Sequence, residues 1–75
     1  MGNFYLCEVD YSVETNKHYY YTQANSDIEA QNKVYKYHDE HFLSAMYGEL
    51  LFCSIYRISE EEFKEAVDDG LYPII

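Results

Sequence analysis

From Phe4 to Val13 every second side chain is apolar: Tyr5, Cys7, Val9, Tyr11 and Val13 line one side, while Glu8, Asp10 and Ser12 dominate the other. A period of two predicts a strand with one face buried and one face wet. Such a strand needs a partner. Glu14-Thr15-Asn16-Lys17 reads as a turn, and His18 to Gln23, with three successive tyrosines, reads as a second strand. The two are expected to pair as an antiparallel hairpin. Its register decides which tyrosines join which face, because a slip of one residue reverses every side chain. With an even loop, Val13 faces His18, Tyr11 faces Tyr20 and Val9 faces Thr22. Asp10 then lies opposite Tyr21, Ser12 opposite Tyr19, and Glu8 opposite Gln23. One sheet face would interleave carboxylates with Tyr19 and Tyr21.

The remaining chain predicts helices around a third strand. Ser26-Asp27-Ile28-Glu29 is a capping box that opens a helix to about Phe42 or Met46. Ala30, Val34, Tyr35, Tyr37, His38, His41, Phe42 and Ala45 fall on its broad apolar side. Glu29 with Lys33 and Lys36 with Glu40 have the spacing of favourable pairs. Gly48 closes that segment. Glu49 to Ile58 is a third strand, apolar on both faces, which suits a central or doubly covered position. Ser59-Glu60-Glu61-Glu62 is a second capping box, and Gly70 suits the position just past the helix it begins. Phe63, Ala66 and Val67 are expected to point inward. The fold class is therefore α+β, a small antiparallel three-stranded sheet in the order β-β-α-β-α, with helices packed on it.

Seventy-five residues make one domain with a thin core. An apolar content of 48% and an aromatic content of 19% are too rich for a disordered acidic tail. The longest apolar-leaning run, Leu50 to Ile58, is broken by Ser54 and Arg57 and is far short of the roughly 20 residues that cross a membrane. The first residues lack a signal peptide's basic start, and Leu6 stands where a myristoylation motif needs Ser or Thr. Cys7 and Cys53 have neither metal-site spacing nor basic neighbours, and read as small buried hydrophobes in a reduced protein. A disulfide is the minor reading.

Fourteen carboxylates stand against five Lys and Arg, a net charge of −9. That surface repels nucleic acid and attracts basic partners, and ten tyrosines give it rigid contact area. Tyrosines on a sheet can stack bases, but RNA-binding platforms surround them with cations, not with Glu8, Asp10 and Glu14. His38 and His41 have a spacing that could share an ion, but zinc wants further ligands and both lie towards the apolar side. We expect no metal and no cofactor. No Gly-rich phosphate loop or nucleophile elbow occurs, and we expect no enzyme. Glu60 to Glu62 suit a helix N-terminus, whereas Asp68 and Asp69 sit at its unfavourable end. A solvated helix face is the plain reading of this run, which Glu65 also joins. A negative stripe presented to a basic partner is the functional reading.

The small size, the acidity, the Tyr-rich hairpin and the element order together resemble the small proteins by which bacteriophages and mobile elements block host enzymes. These include anti-CRISPR proteins and phage inhibitors of uracil-DNA glycosylase. The resemblance covers size, charge and rough topology, and no motif aligns. It implies a non-enzymatic inhibitor in the cytoplasm of a bacterial host cell. Its partner would be a basic nucleic-acid-binding protein, such as a CRISPR effector or DNA-processing enzyme, whose groove is filled by carboxylates in place of phosphates. The expected partner-binding residues are Glu8, Asp10, Tyr19 and Tyr21, with Glu61, Glu65, Asp68 and Asp69 as a second patch. The alternative is a homodimer or larger homo-oligomeric module whose acidity serves solubility. Leu71-Tyr72-Pro73-Ile74-Ile75 is too apolar to stay free, and Pro73 suits a sheet edge. The tail is expected to dock on the core or across a dimer seam.

Overall fold

Strand β1 (Asn3–Tyr11) lies at the centre of the sheet, with β2 (His18–Ala24) on one side and β3 (Leu50–Ile58) on the other, both antiparallel to it. Helix α1 (Asp27–Glu40) and the short α2 (Leu43–Tyr47) separate β2 from β3, and α3 (Glu60–Asp69) follows β3. The architecture is α+β, in the order β-β-α-α-β-α. The computed structural model describes residues 2–75.

The hairpin keeps the expected faces but not the expected register. Tyr20 faces Cys7 rather than Tyr11, Thr22 faces Tyr5, and Glu8 faces Tyr19 rather than Gln23. The displacement is even, so no side chain changes face. Its cause is a second set of bonds. The Ser12 and Val13 amides donate to Glu49 O at 2.8 Å and Tyr47 O at 3.0 Å, and Ser12 Oγ accepts from the Glu49 amide at 2.9 Å. These residues leave the hairpin to fasten the approach to β3, which lengthens the loop. Val13 is consequently exposed, where alternation placed it inside.

The core lies between the sheet and α1. Tyr5, Cys7, Val9 and Tyr11 of β1 meet Tyr20, Thr22 and Ala24 of β2, covered by Ala30, Val34 and His38 of α1 and by Leu43. Burying tyrosines requires partners for their hydroxyls. Tyr11 and Tyr20 satisfy each other at 2.9 Å. His38 stacks on Tyr11, and its Nδ1 has no partner among the described residues. Cys7 and Cys53 are free. Burial pushes Cys7 up to about 12 and Cys53 to about 11, so both are neutral thiols at ordinary pH rather than nucleophiles.

Ser26 and Ser59 cap α1 and α3 as expected, accepting from the Glu29 and Glu62 amides at 3.2 and 3.1 Å. Several details differ from the expectation. The buried stripe of α1 is narrower than the wheel suggested: Ala30, Val34 and His38 are inside, whereas Tyr35, His41, Phe42 and Ala45 are exposed. Lys36 pairs with Glu40 at 3.8 Å, but Lys33 donates to Gln23 O at 2.6 Å instead of meeting Glu29. Phe63 and Ala66 are half-buried and Val67 is exposed, because α3 covers only one end of a small sheet.

The helix also breaks earlier than the wheel implied. Phe42 adopts φ 54° and ψ 37°, a left-handed conformation that a bulky residue rarely takes. Its ring is 76% exposed, so little packing holds it there. Phe42→Asn is expected to stabilise the fold by about 1 kcal/mol, since Asn tolerates this backbone better. Thermal melting checks this; a lower melting temperature would mean that the ring makes a contribution larger than the strain.

The largest departure concerns β3. Its apolar run suggested a central strand, yet it occupies an edge. Cys53 and Ile55 pack on the core side, while Leu51, Phe52 and Tyr56 remain exposed. The run is apolar on both faces, but only one long flank of the strand is paired.

Candidate functional site

The sheet face turned away from α1 begins with Phe4 beside Gln23 and Ile58. It continues through Leu6 between Tyr21 and Tyr56, then Glu8 between Tyr19 and Ser54, and ends with Asp10 beside Phe52. Alternation along β1 dictates this set. Helix α3 covers its first end, where Phe63 packs on Phe4 with ring centroids 4.8 Å apart. The other end stays open.

All four residues expected on the hairpin patch therefore share this face. They do not stand equally free. Tyr19 and Tyr21 are half-buried beneath Tyr72, whose ring lies 5.2 and 6.4 Å from theirs. Glu8 accepts a hydrogen bond from Lys17 Nζ at 2.7 Å. That bond, then the charges of Glu8 and Asp10, raise the Lys17 pKa. Lys17 thus offsets part of the charge of the hairpin patch. Asp10 has no cation of its own at ion-pairing distance among the described residues.

The second patch, Glu61, Glu65, Asp68 and Asp69, is fully on the surface of α3. Because α3 packs through Phe63 on Phe4, it belongs to the same side of the molecule as Glu8 and Asp10. Helix spacing aligns Glu61, Glu65 and Asp68 along one stripe. The only basic residue in α3, Lys64, is engaged by Glu60 at 3.5 Å. Of the fourteen carboxylates, four stand in ion pairs with Lys or His, and the other ten have no such partner among the described residues.

Phe52 and Tyr56 were not anticipated in this surface. Phe52 is 68% exposed beside Asp10, and Tyr56 is 49% exposed beside Leu6. Sequence pattern could not place them outside, since an apolar strand reads alike whether it is central or at an edge. Lys17 was likewise hidden: it reads as a turn residue, and only the register brings it to Glu8.

Away from this face, a shallow cleft of about 470 Å³ lies between α1 and the tail, lined by Lys33, Lys36, Tyr37, Glu40, His41, Ile74 and Ile75. His41 is exposed there, edge-on to Tyr37, whereas His38 is buried. The two histidines do not converge. Among the described residues no three His, Cys, Asp or Glu side chains lie close enough together to hold a metal ion, and no helix is long and apolar enough to cross a membrane. Comparison with protein-family models, curated proteins and solved structures gave no match.

Proposed function

We propose that this chain is a non-enzymatic inhibitor or interaction protein that captures a basic, nucleic-acid-binding protein, such as a CRISPR effector or DNA-processing enzyme. Its carboxylates stand where phosphates would, on the side formed by Glu8 and Asp10 of β1 and Glu61, Glu65, Asp68 and Asp69 of α3. The observation that carries this reading is the gathering of largely unpaired carboxylates on one side, with aromatic rings between them. Charge speeds encounter with a basic groove, and desolvated aromatics such as Phe52 and Tyr56 supply anchoring contacts.

Asp68 and Asp69 permit a test that separates binding from folding. Both lie at the C-terminal end of α3, where the helix dipole disfavours negative charge. Replacing both by Lys removes that conflict, so the melting temperature should hold or rise. Capture of nucleic-acid-binding proteins from bacterial lysate should nevertheless fall, by roughly tenfold when Glu61→Lys and Glu65→Lys are added. The wild-type capture should also be displaced by competing DNA. Unchanged capture by the fourfold variant at physiological salt would remove the basis of this reading.

A further inference from the structure

The two outer flanks of the sheet are treated differently. The β2 flank is closed by the chain's own last residues. The Tyr21 amide donates to Pro73 O at 3.0 Å, the Ile75 amide donates to Tyr21 O at 2.8 Å, and Ile74 bridges Tyr21 in parallel. The β3 flank has no such cover: among the described residues no strand, bridge or loop hydrogen bond reaches it. A strand at an edge offers a row of unpaired amides and carbonyls to any chain that matches it.

Sequence identifies the match. In a chain of net charge −9, the segment Leu50 to Tyr56 carries no charge, no proline and no glycine. Such segments pair readily with other strands. Its centre is also close to symmetrical about Ser54: Cys53 answers Ile55, and Phe52 answers Tyr56. A bulge where β3 passes Asp10 and Tyr11 ends regular geometry near Leu51, which confines the symmetrical part to Phe52–Tyr56. Arg57, the first charge beyond it, is tied to Asn3 Oδ1 of its own chain at 2.9 Å.

We propose that two copies of this chain pair antiparallel through the outer edges of β3, about a two-fold axis at Ser54, and join their sheets into one. Directly opposed residues in an antiparallel pair share a face, so this axis sets Phe52 against the second copy's Tyr56 twice on the acidic side. It sets Cys53 against Ile55 twice on the core side. Both aromatic pairs use side chains that the monomer leaves exposed. The axis also keeps the two acidic faces on the same side of the joined sheet. The pairing uses Phe52 and Tyr56, which the basic partner proposed above would also contact, so salt separates the two readings: its effect on the pairing has the opposite sign. Two chains of like charge repel, so salt strengthens the dimer, whereas salt weakens capture of a basic protein.

Sedimentation equilibrium from micromolar to near-millimolar chain, at low and high salt, tests the seam. The full chain should pass from monomer to dimer, with tighter association at high salt. Phe52→Lys, at an exposed position, should weaken dimerisation roughly tenfold or more while leaving thermal melting nearly unchanged; Tyr56→Lys should do the same. Hydrogen exchange should report concentration-dependent protection of alternate amides within Phe52–Tyr56. A full chain that stays monomeric at near-millimolar concentration in high salt overturns the proposal and leaves the edge to a foreign strand. A dimer that both variants leave intact also overturns it and moves the seam elsewhere.

Discussion

Removing Tyr72 to Ile75 should lower the melting temperature by about 12–24 °C, from a loss of about 3 kcal/mol in a domain of this size. The structure specifies what is lost. Thr22 is wholly buried, and its hydroxyl donates to Ile75 O at 2.8 Å. Tyr21 gives both its amide and its carbonyl to the tail. Ile75 packs against the core, and Tyr72 shields Tyr19 and Tyr21. Truncation therefore strips apolar cover and opens the β2 edge at the same time. With both sheet edges open, the shortened chain should also aggregate on heating. Calorimetry with light scattering checks both effects. A truncated chain that melts like the full one would mean that the tail is free and available to a partner.

A single methyl group at Gly48 should cost at least as much. Gly48 has φ 81° and ψ −157°, a region that essentially only glycine occupies. A Cβ built there would overlap Ser12 Oγ and come within 2.8 Å of Val13 Cγ2. These are the residues that hold the Tyr47–Glu49 segment beside the end of β1. Ser12 Oγ cannot move aside without losing its bond from the Glu49 amide. Gly48→Ala should thus destabilise by about 3 kcal/mol or more, combining backbone strain with overpacking. Urea denaturation measures it. Gly70→Ala is the control: Gly70 also has positive φ, at 64°, but nothing lies within 4 Å of an added Cβ. Its cost should be confined to the left-handed penalty, about 1–2 kcal/mol. Equal losses at the two sites would show that crowding at Ser12 contributes nothing.

The parts of the fold legible in sequence are those that local chemistry dictates. Alternation from Phe4 to Val13 assigned the faces of β1, and serine followed by glutamate three residues later located the starts of α1 and α3. What sequence could not supply was competition between distant segments. Ser12 and Val13 look like strand residues of the hairpin, and nothing local says that Tyr47 and Glu49 claim their amides. Phe42 continues a helical pattern, and nothing local says that the chain turns there. The apolar composition of β3 carries information about burial of its faces but none about pairing of its flanks. The hairpin's share of the candidate face, Glu8, Asp10, Tyr19 and Tyr21, was legible, because parity survives an even change of register; the share of β3, Phe52 and Tyr56, was not. Nor were the electrostatics of the face, since Lys17 reaches Glu8 only in the true register.

The position of β1 between its two neighbours bears on how the chain reaches this fold. Its ladder with β2 closes a short loop, whereas its ladder with β3 joins Phe4 to Ile58 across most of the chain. The entropy of closing the longer loop must be met before that ladder contributes, so docking of β3 is expected to be the slow step. Until β3 docks, both flanks of its uncharged segment are unsatisfied, and encounters between incompletely folded chains are at their most hazardous. The net charge of −9 acts throughout that interval, whatever partner it later serves. Mutual repulsion holds immature chains apart while the central strand waits for its second neighbour.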